Sequence, residues 1–152
     1  MVNELHHVSI LVKDMEESLP LYRDILGMTL ERDTGPKGLS PYYAKYASEV
    51  TGIPCSNARF VYLQGFGIRI ELQQFYGVKD EDKFFQFGKR GIRNHLALYV
   101  DDIHQAYKKL KKNYTFISPP KKIPEGPLKN TYAVYFLDPS GNQIELFQKP
   151  EQ

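Results

Sequence analysis

The chain has 152 residues, a formal net charge of +2 and one cysteine, Cys55. Its 20 basic and 18 acidic residues nearly balance, which argues against a nucleic-acid or membrane partner. A single cysteine excludes an intrachain disulfide and a cysteine-based zinc site. The N-terminal residues show no secretory signal and no apolar run is long enough to span a membrane, so we expect a cytoplasmic protein.

The first half of the sequence predicts a strand, a helix and three further strands. Residues 4–13 alternate between apolar and polar side chains, which is typical of a strand. Asp14 followed by Glu17 predicts the N-cap of a helix over 15–26, and Pro20 is expected to kink that helix or to shift its start. A Pro/Gly loop with a short helical piece around 41–50 follows. The other strands are predicted at 28–34, 58–64 and 67–75.

The second half repeats the first. The segment HVSILVKD, which begins at His7, is similar to HLALYVDD, which begins at His95. Two later segments, beginning at Gly67 and Gly141, both read Gly-x-x-Ile-Glu-Leu. The second copy predicts a strand at 93–100, a helix at 102–112, and strands near 115–118, 131–137 and 142–148.

This repeat predicts the fold class and the domain organisation. The fold is α+β, with two tandem βαβββ modules forming one cupped mixed sheet and the helices on the outside. We expect module 1 at about 4–75, a linker at about 76–91 and module 2 at about 92–149. Neither module could bury its sheet face alone, so residues 1–152 are predicted to form a single domain.

Strand alternation predicts which side chains face away from the helices, because successive side chains of a strand point to opposite faces. In each module, the apolar set is expected to pack against the helix. The opposite set in module 1 includes His7, Ser9, Leu11, Arg69, Glu71 and Gln73. The opposite set in module 2 includes His95, Ala97, Tyr99, Gln143, Glu145 and Phe147.

A His and a Glu recur at equivalent positions of these two sets: His7 with Glu71, and His95 with Glu145. Two imidazoles and two carboxylates suit a divalent first-row metal with open positions for water. Each of them is also an ordinary residue for a sheet face in contact with solvent, so the pattern alone leaves both interpretations open. His6 alternates to the other face and is expected to pack or cap there.

Several segments match the motifs of a known family. They are HVSILVKD from His7, LYRDILG from Leu21, IEL from Ile70, NHLA from Asn94 and DPSGNQIE from Asp138. Together they resemble the vicinal oxygen chelate superfamily, which includes glyoxalase I, methylmalonyl-CoA epimerase, extradiol dioxygenases, and the fosfomycin and bleomycin resistance proteins. The resemblance implies paired βαβββ modules that enclose a metal, and a homodimer.

The resemblance also implies a ligand set and a reaction class. The ligands are His7, Glu71, His95 and Glu145, which resemble the His/Glu/His/Glu set of bacterial-type glyoxalase I. They imply one divalent ion, which is nickel, cobalt, zinc, manganese or iron. The implied reaction is that of a lyase or isomerase, in which the metal chelates vicinal oxygens of a small substrate, stabilises an enediolate-type intermediate and Glu145 acts as the base. The substrate-binding residues are predicted to be Ser9, Leu11, Arg69, Gln73, Tyr99 and Phe147.

Lactoylglutathione lyase itself fits less well than its reaction class. That enzyme holds the carboxylates of glutathione with basic and amide residues at three positions, where this chain has Leu11, Gly91 and Phe75. A small oxygenated substrate with an apolar part is therefore a better fit.

Two alternatives remain. An Fe(II) extradiol-type dioxygenase would use His7, His95 and Glu145 as a facial triad, and Tyr135 matches its signature. The relay His of that signature is absent from residues 126–128, which read Gly-Pro-Leu. The other alternative is a non-catalytic drug-binding or resistance protein.

Overall fold

The computed structural model describes residues 5–36, 45, 48, 55–78, 95–124 and 128–149. The first half contains strand β1 (Val8–Leu11), helix α1 (Met15–Pro20) with a π-helical turn over Leu21–Ile25, β2 (Thr29–Asp33), β3 (Asn57–Gly65) and β4 (Ile68–Tyr76). The second half contains β5 (His95–Val100), helix α2 (Ile103–Leu110), β6 (Lys121–Lys122), β7 (Tyr132–Leu137) and β8 (Gln143–Gln148).

Each half forms a four-stranded mixed sheet with the same topology. The strand orders are β1-β4-β3-β2 and β5-β8-β7-β6. In both sheets the first two strands of this order are parallel and the remaining neighbours are antiparallel. The predicted α+β fold with two βαβββ modules is confirmed.

The chain divides into two compact units, Met1–Gly91 and Ile92–Gln152. Most of the predicted linker at 76–91 lies outside the described residues, as does most of the helical piece predicted around 41–50. That the two modules form a single domain stays a prediction. Within the part of the chain that the structure describes, no helix is long and apolar enough to cross a membrane.

Helix α1 begins and ends as its sequence predicts. The Asp14 carboxylate accepts hydrogen bonds from the backbone N–H groups of Glu16 and Glu17, at 2.8 and 3.1 Å. Pro20 has no N–H to donate to the preceding turn, and the helix changes there from α to π. The predicted kink therefore takes the form of a wider turn, which ends at Gly27 with a positive φ of 77°.

Module 2 departs from the prediction near residues 115–118. We predicted a strand near 115–118, but Phe116 forms only an isolated bridge with Phe136. Pro119 and Pro120 have no N–H to donate, so they interrupt the ladder. The ladder resumes at β6.

In each unit, most of the described buried apolar side chains lie on the helix side of the sheet. Alternation predicted this face correctly for β4 and β8, whose predicted core residues are at most 1% exposed: Ile70, Leu72, Ile144 and Leu146. At the start of β1 the pattern fails, since Val8 is 47% exposed.

A buried arginine connects three elements of module 1 on the helix side. Arg59 in β3 is 5% exposed. Its Nε and Nη2 donate to the two carboxylate oxygens of Asp33 in β2, at 2.9 and 2.7 Å. Its Nη1 donates to Glu16 in α1. One guanidinium thus holds β2, β3 and α1 together.

This ion pair predicts a pH dependence of stability. Hydrogen bonds from Arg59 lower the pKa of Asp33 below its ordinary value. A lowered pKa in the folded state stabilises the fold fully above the unfolded value of about 3.9. The stabilisation is lost as the pH falls through the folded-state value. We expect the free energy of unfolding, measured in urea between neutral pH and about pH 3, to fall less steeply in Asp33→Asn than in the wild type. Parallel curves for the two proteins would contradict this assignment.

Candidate metal centre

Module 1 brings one imidazole and one carboxylate together on the face away from the helix. Glu71 in β4 lies opposite Ser9 of β1 in the parallel ladder. His7 immediately precedes β1, and its Nε2 is 3.3 Å from Glu71 Oε2. The side chain of Glu71 is 6% exposed and that of His7 is 29% exposed. The carboxylate is therefore sheltered while the imidazole faces solvent.

Module 2 forms an equivalent pair. His95 Nε2 is 3.0 Å from Glu145 Oε2. Glu145 lies opposite Ala97 in the parallel ladder, which is the same register as Glu71 opposite Ser9. The candidate ligands thus lie in two His–Glu pairs, one in each module. Among the described residues no group of three or more His, Cys, Asp or Glu side chains that could hold a metal is found.

The geometry of each pair fits two ligands of one divalent cation. Two ligand atoms at about 2.1 Å from a cation, at right angles, are about 3 Å apart. The observed separations of 3.3 and 3.0 Å are close to this value. A direct imidazole–carboxylate hydrogen bond gives similar distances, so distance alone does not indicate a metal site. The chemical type of the ligand atoms is a second criterion. Imidazole and carboxylate together suit first-row divalent metals.

The two carboxylates differ in their neighbours. Glu71 Oε2 accepts a hydrogen bond from Ser9 Oγ at 2.9 Å and another from the side-chain amide of Gln73. Gln73 also donates to Ser9 Oγ at 3.3 Å. Two residues that we predicted to bind substrate therefore hold Glu71 in place.

Glu145 has apolar neighbours at the two corresponding positions, which are Ala97 and Phe147. Its carboxylate instead accepts a hydrogen bond from the hydroxyl of Tyr135, which also lies 3.4 Å from His95 Nε2. Burial, and then the neighbouring Glu145 carboxylate, raise the pKa of Tyr135 to about 12. Tyr135 therefore remains a protonated hydrogen-bond donor at neutral pH.

Each His–Glu pair has a tyrosine beside it. Tyr62 lies opposite Glu71 across the β3–β4 hairpin, and Tyr135 lies opposite Glu145 across β7–β8. Their rings meet His7 and His95 edge-on, with ring centroids 5.8 and 5.2 Å apart. Sequence reasoning missed Tyr62. Counting back across the turn at Gly67 would have placed it opposite Glu71.

A bulge brings a further acidic side chain to Arg69, which we predicted to bind substrate. The pairing of β2 with β3 shifts between Leu30 and Arg32, so Glu31 is the extra residue of a β-bulge. Glu31 Oε2 accepts a hydrogen bond from Arg69 Nε at 2.7 Å. Arg69 is thus part of an ion pair within module 1.

The remaining predicted substrate-binding residues are apolar or aromatic. Leu11 packs against a buried cluster on the same face, made of Ala58, Phe60 and Phe75. In module 2, Tyr99 is 61% exposed and its ring centroid is 6.2 Å from that of Phe147. Apolar surface therefore lies beside both His–Glu pairs.

His6 does not face the helix as we expected. Its Nδ1 is 2.6 Å from His7 Nδ1, and its ring meets Tyr62 edge-on at 6.3 Å between centroids. The expectation was wrong because residues 5–7 precede β1 and are not held to the alternation of a strand.

Comparisons with known proteins agree with this fold. Residues 4–146 match the Glyoxalase/Bleomycin resistance protein/Dioxygenase superfamily. The chain therefore belongs to that superfamily, which confirms the resemblance seen in its motifs.

Individual relatives are similar over nearly the whole chain. A 2-epi-5-epi-valiolone epimerase from Actinomyces sp is 26% identical, over 96% of this chain and 79% of its own length. A lactoylglutathione lyase from Salmonella typhimurium is 28% identical, over 95% and 91%. The crystal structure of a superfamily member from Sphaerobacter thermophilus is 25% identical, with a TM-score of 0.57 and coverage of 97% and 98%. These relatives carry names of two different reactions.

Proposed function

We propose that the protein is a metal-dependent lyase or isomerase that moves a proton on a small substrate with vicinal oxygens. The observation that supports this most is the recurrence of a His–Glu pair in the same register of both modules. One pair supplies two donors, whereas catalytic metal sites use about three protein ligands or more. We therefore assign His7, Glu71, His95 and Glu145 to one ion.

The bound cation would polarise the substrate's oxygens and stabilise the enediolate-type charge left by loss of a proton from carbon. Glu145 takes that proton and returns it, to a neighbouring carbon in an isomerase or to the opposite face of the same carbon in an epimerase. Glu71 stays in place, because Ser9 and Gln73 both donate hydrogen bonds to it. Tyr135 donates to Glu145 and so directs its carboxylate.

The neighbouring side chains favour a substrate with an apolar part. Leu11 belongs to an apolar cluster in module 1, and Tyr99 and Phe147 place aromatic surface in module 2. Arg69 is already paired with Glu31, which makes it a poor holder for a free carboxylate of the substrate. The substrates and products named in the relatives, lactoylglutathione and 2-epi-5-epi-valiolone, form the first panel to test, with methylmalonyl-CoA added from the motif resemblance.

Metal content tests the proposal first. We expect the purified protein to carry about one equivalent of a first-row divalent metal, and His7→Ala and His95→Ala each to lose it, because each removes one donor of a pair. Elemental mass spectrometry measures the content. His104→Ala is the matched control, since His104 is an exposed histidine beside Tyr132.

The outcomes separate the alternatives. Nickel, cobalt or zinc supports the lyase or isomerase, whereas iron favours the extradiol-type dioxygenase. No metal, and none taken up on reconstitution, would leave a non-catalytic drug-binding or resistance protein as the better account.

A mixing experiment then tests whether one ion takes ligands from both chains of the homodimer that the motif resemblance implies. The double variant His7→Ala/Glu71→Ala is mixed with His95→Ala/Glu145→Ala, and metal content is measured again. If one ion uses module 1 of one chain and module 2 of its partner, mixed dimers regain a complete site. If both modules belong to the same chain, mixing regains nothing.

A further inference from the structure

The rings of two adjacent histidines of module 1 are within hydrogen-bond distance of each other. The Nδ1 atoms of His6 and His7 are 2.6 Å apart. Two lone pairs or two N–H groups at this distance would repel each other, so one proton lies between the nitrogens. One ring donates this proton and the other accepts it.

The direction of this hydrogen bond follows from the other nitrogen of His7. His7 Nε2 faces the Glu71 carboxylate, so it is the nitrogen that the candidate site would use. A metal-binding nitrogen must carry a lone pair, and the proton of a neutral imidazole is then on Nδ1. His7 Nδ1–H therefore donates to His6 Nδ1 when a cation is bound.

We propose that His6 is a positioning residue, which fixes the ring orientation and the tautomer of His7 for cation binding. The inference rests on the proposed function. Metal-binding histidines usually donate their second N–H to a carboxylate, a carbonyl or water. In this chain a neighbouring imidazole accepts it.

His6 is itself held by neighbours in β3 and β4. Its ring meets Tyr62 edge-on, with 6.3 Å between centroids. Its Nε2 lies 3.5 Å from Nη1 of Arg69, which Glu31 anchors. In this long contact only the guanidinium can donate, which favours a proton on His6 Nδ1 in the metal-free protein. Cation binding at His7 Nε2 would then reverse the hydrogen bond between the two Nδ1 atoms.

Zn²⁺ affinity tests the proposal, measured by competition with a chromogenic chelator. His6→Phe keeps an aromatic ring beside Tyr62 but removes the acceptor, and we expect Zn²⁺ binding to weaken by about 10–100-fold. His6→Gln restores an acceptor oxygen and should recover most of the affinity. His104→Phe makes the same substitution beside Tyr132 in module 2 and should leave the affinity unchanged.

Two further measurements separate positioning from a general structural role. The metal-free His6→Phe protein should unfold at the wild-type temperature, because His6 is exposed. In the wild-type protein loaded with Zn²⁺, the ¹⁵N shifts of His7 should show a proton on Nδ1 and none on Nε2. The opposite tautomer would overturn the proposal.

The controls distinguish this inference from the proposed function. If His6→Phe binds Zn²⁺ as tightly as the wild type while His7→Ala does not bind it, His6 has no positioning role and the metal site stands. If His6→Gln is as weak as His6→Phe, the acceptor is not what matters, and the inference fails. If the wild type does not bind Zn²⁺ or another first-row divalent ion, the proposed function fails and the inference fails with it.

Discussion

Replacing Glu145 by Gln should lower turnover by about 10²–10⁴-fold, which is the usual contribution of a positioned general base. The Gln side chain keeps an oxygen that can bind a cation but cannot take a proton from carbon. The matched change Glu71→Gln should reduce turnover much less, because the oxygen held by Ser9 and Gln73 is retained. The measurement is deuterium incorporation into the substrate in D₂O, with both variants loaded to the same metal content.

The turnover of Glu145→Gln compared with that of Glu71→Gln identifies which carboxylate is the base. Glu71 accepts hydrogen bonds from two side chains, whereas Ala97 and Phe147 offer Glu145 none at the corresponding positions. A carboxylate with fewer side-chain donors can move away from its metal-binding position at lower cost. If Glu71→Gln abolishes turnover and Glu145→Gln does not, the roles are reversed. If both variants keep wild-type rates, neither Glu is the base.

Replacing Arg59 by Met should destabilise the protein by about 3 kcal/mol. Met keeps the apolar stem but leaves the Asp33 carboxylate, whose side chain is 23% exposed, without its guanidinium. Removing one partner of a buried ion pair costs more than removing both, so the double variant Arg59→Met/Asp33→Leu should recover part of the loss. Urea unfolding of the metal-free protein measures both values.

The chain offers a control for this prediction. Arg23 forms an ion pair with Asp24 at 2.6 Å, and both side chains are largely exposed. Arg23→Met should not change the urea midpoint measurably, because water replaces the lost hydrogen bonds. Equal destabilisation by Arg23→Met and Arg59→Met would show that burial does not decide the effect.

Local patterns were enough to predict most of the fold. The repeat of HVSILVKD and of Gly-x-x-Ile-Glu-Leu predicted two modules, and both have the same strand order. Alternation along β4 and β8 predicted the faces of Ile70 and Ile144, which are at most 1% exposed. These predictions succeed because the pleat of a strand fixes side-chain direction every second residue.

The contacts around the candidate site depend on features that have no local signal. Glu31 reaches Arg69 because of a bulge, and a one-residue shift in pairing is not visible in the sequence of β2. His6 lies before β1, where alternation does not apply. The difference between Glu71 and Glu145 emerges only when Ser9 and Ala97 are seen directly opposite them in the ladder.

The shared register of the two modules has a consequence for how such a chain acquires an asymmetric site. A duplicated module begins with two identical carboxylates, which on the proposed mechanism would compete for one substrate proton. The two carboxylates are no longer equivalent once one copy carries Ser and Gln, as at Ser9 and Gln73, and the other carries Ala and Phe, as at Ala97 and Phe147. Neither change alters a backbone hydrogen bond of the sheet. Division of labour between the copies can therefore evolve by side-chain substitution alone, and the same two positions would let a designer choose which half of a symmetric ancestor performs the chemistry.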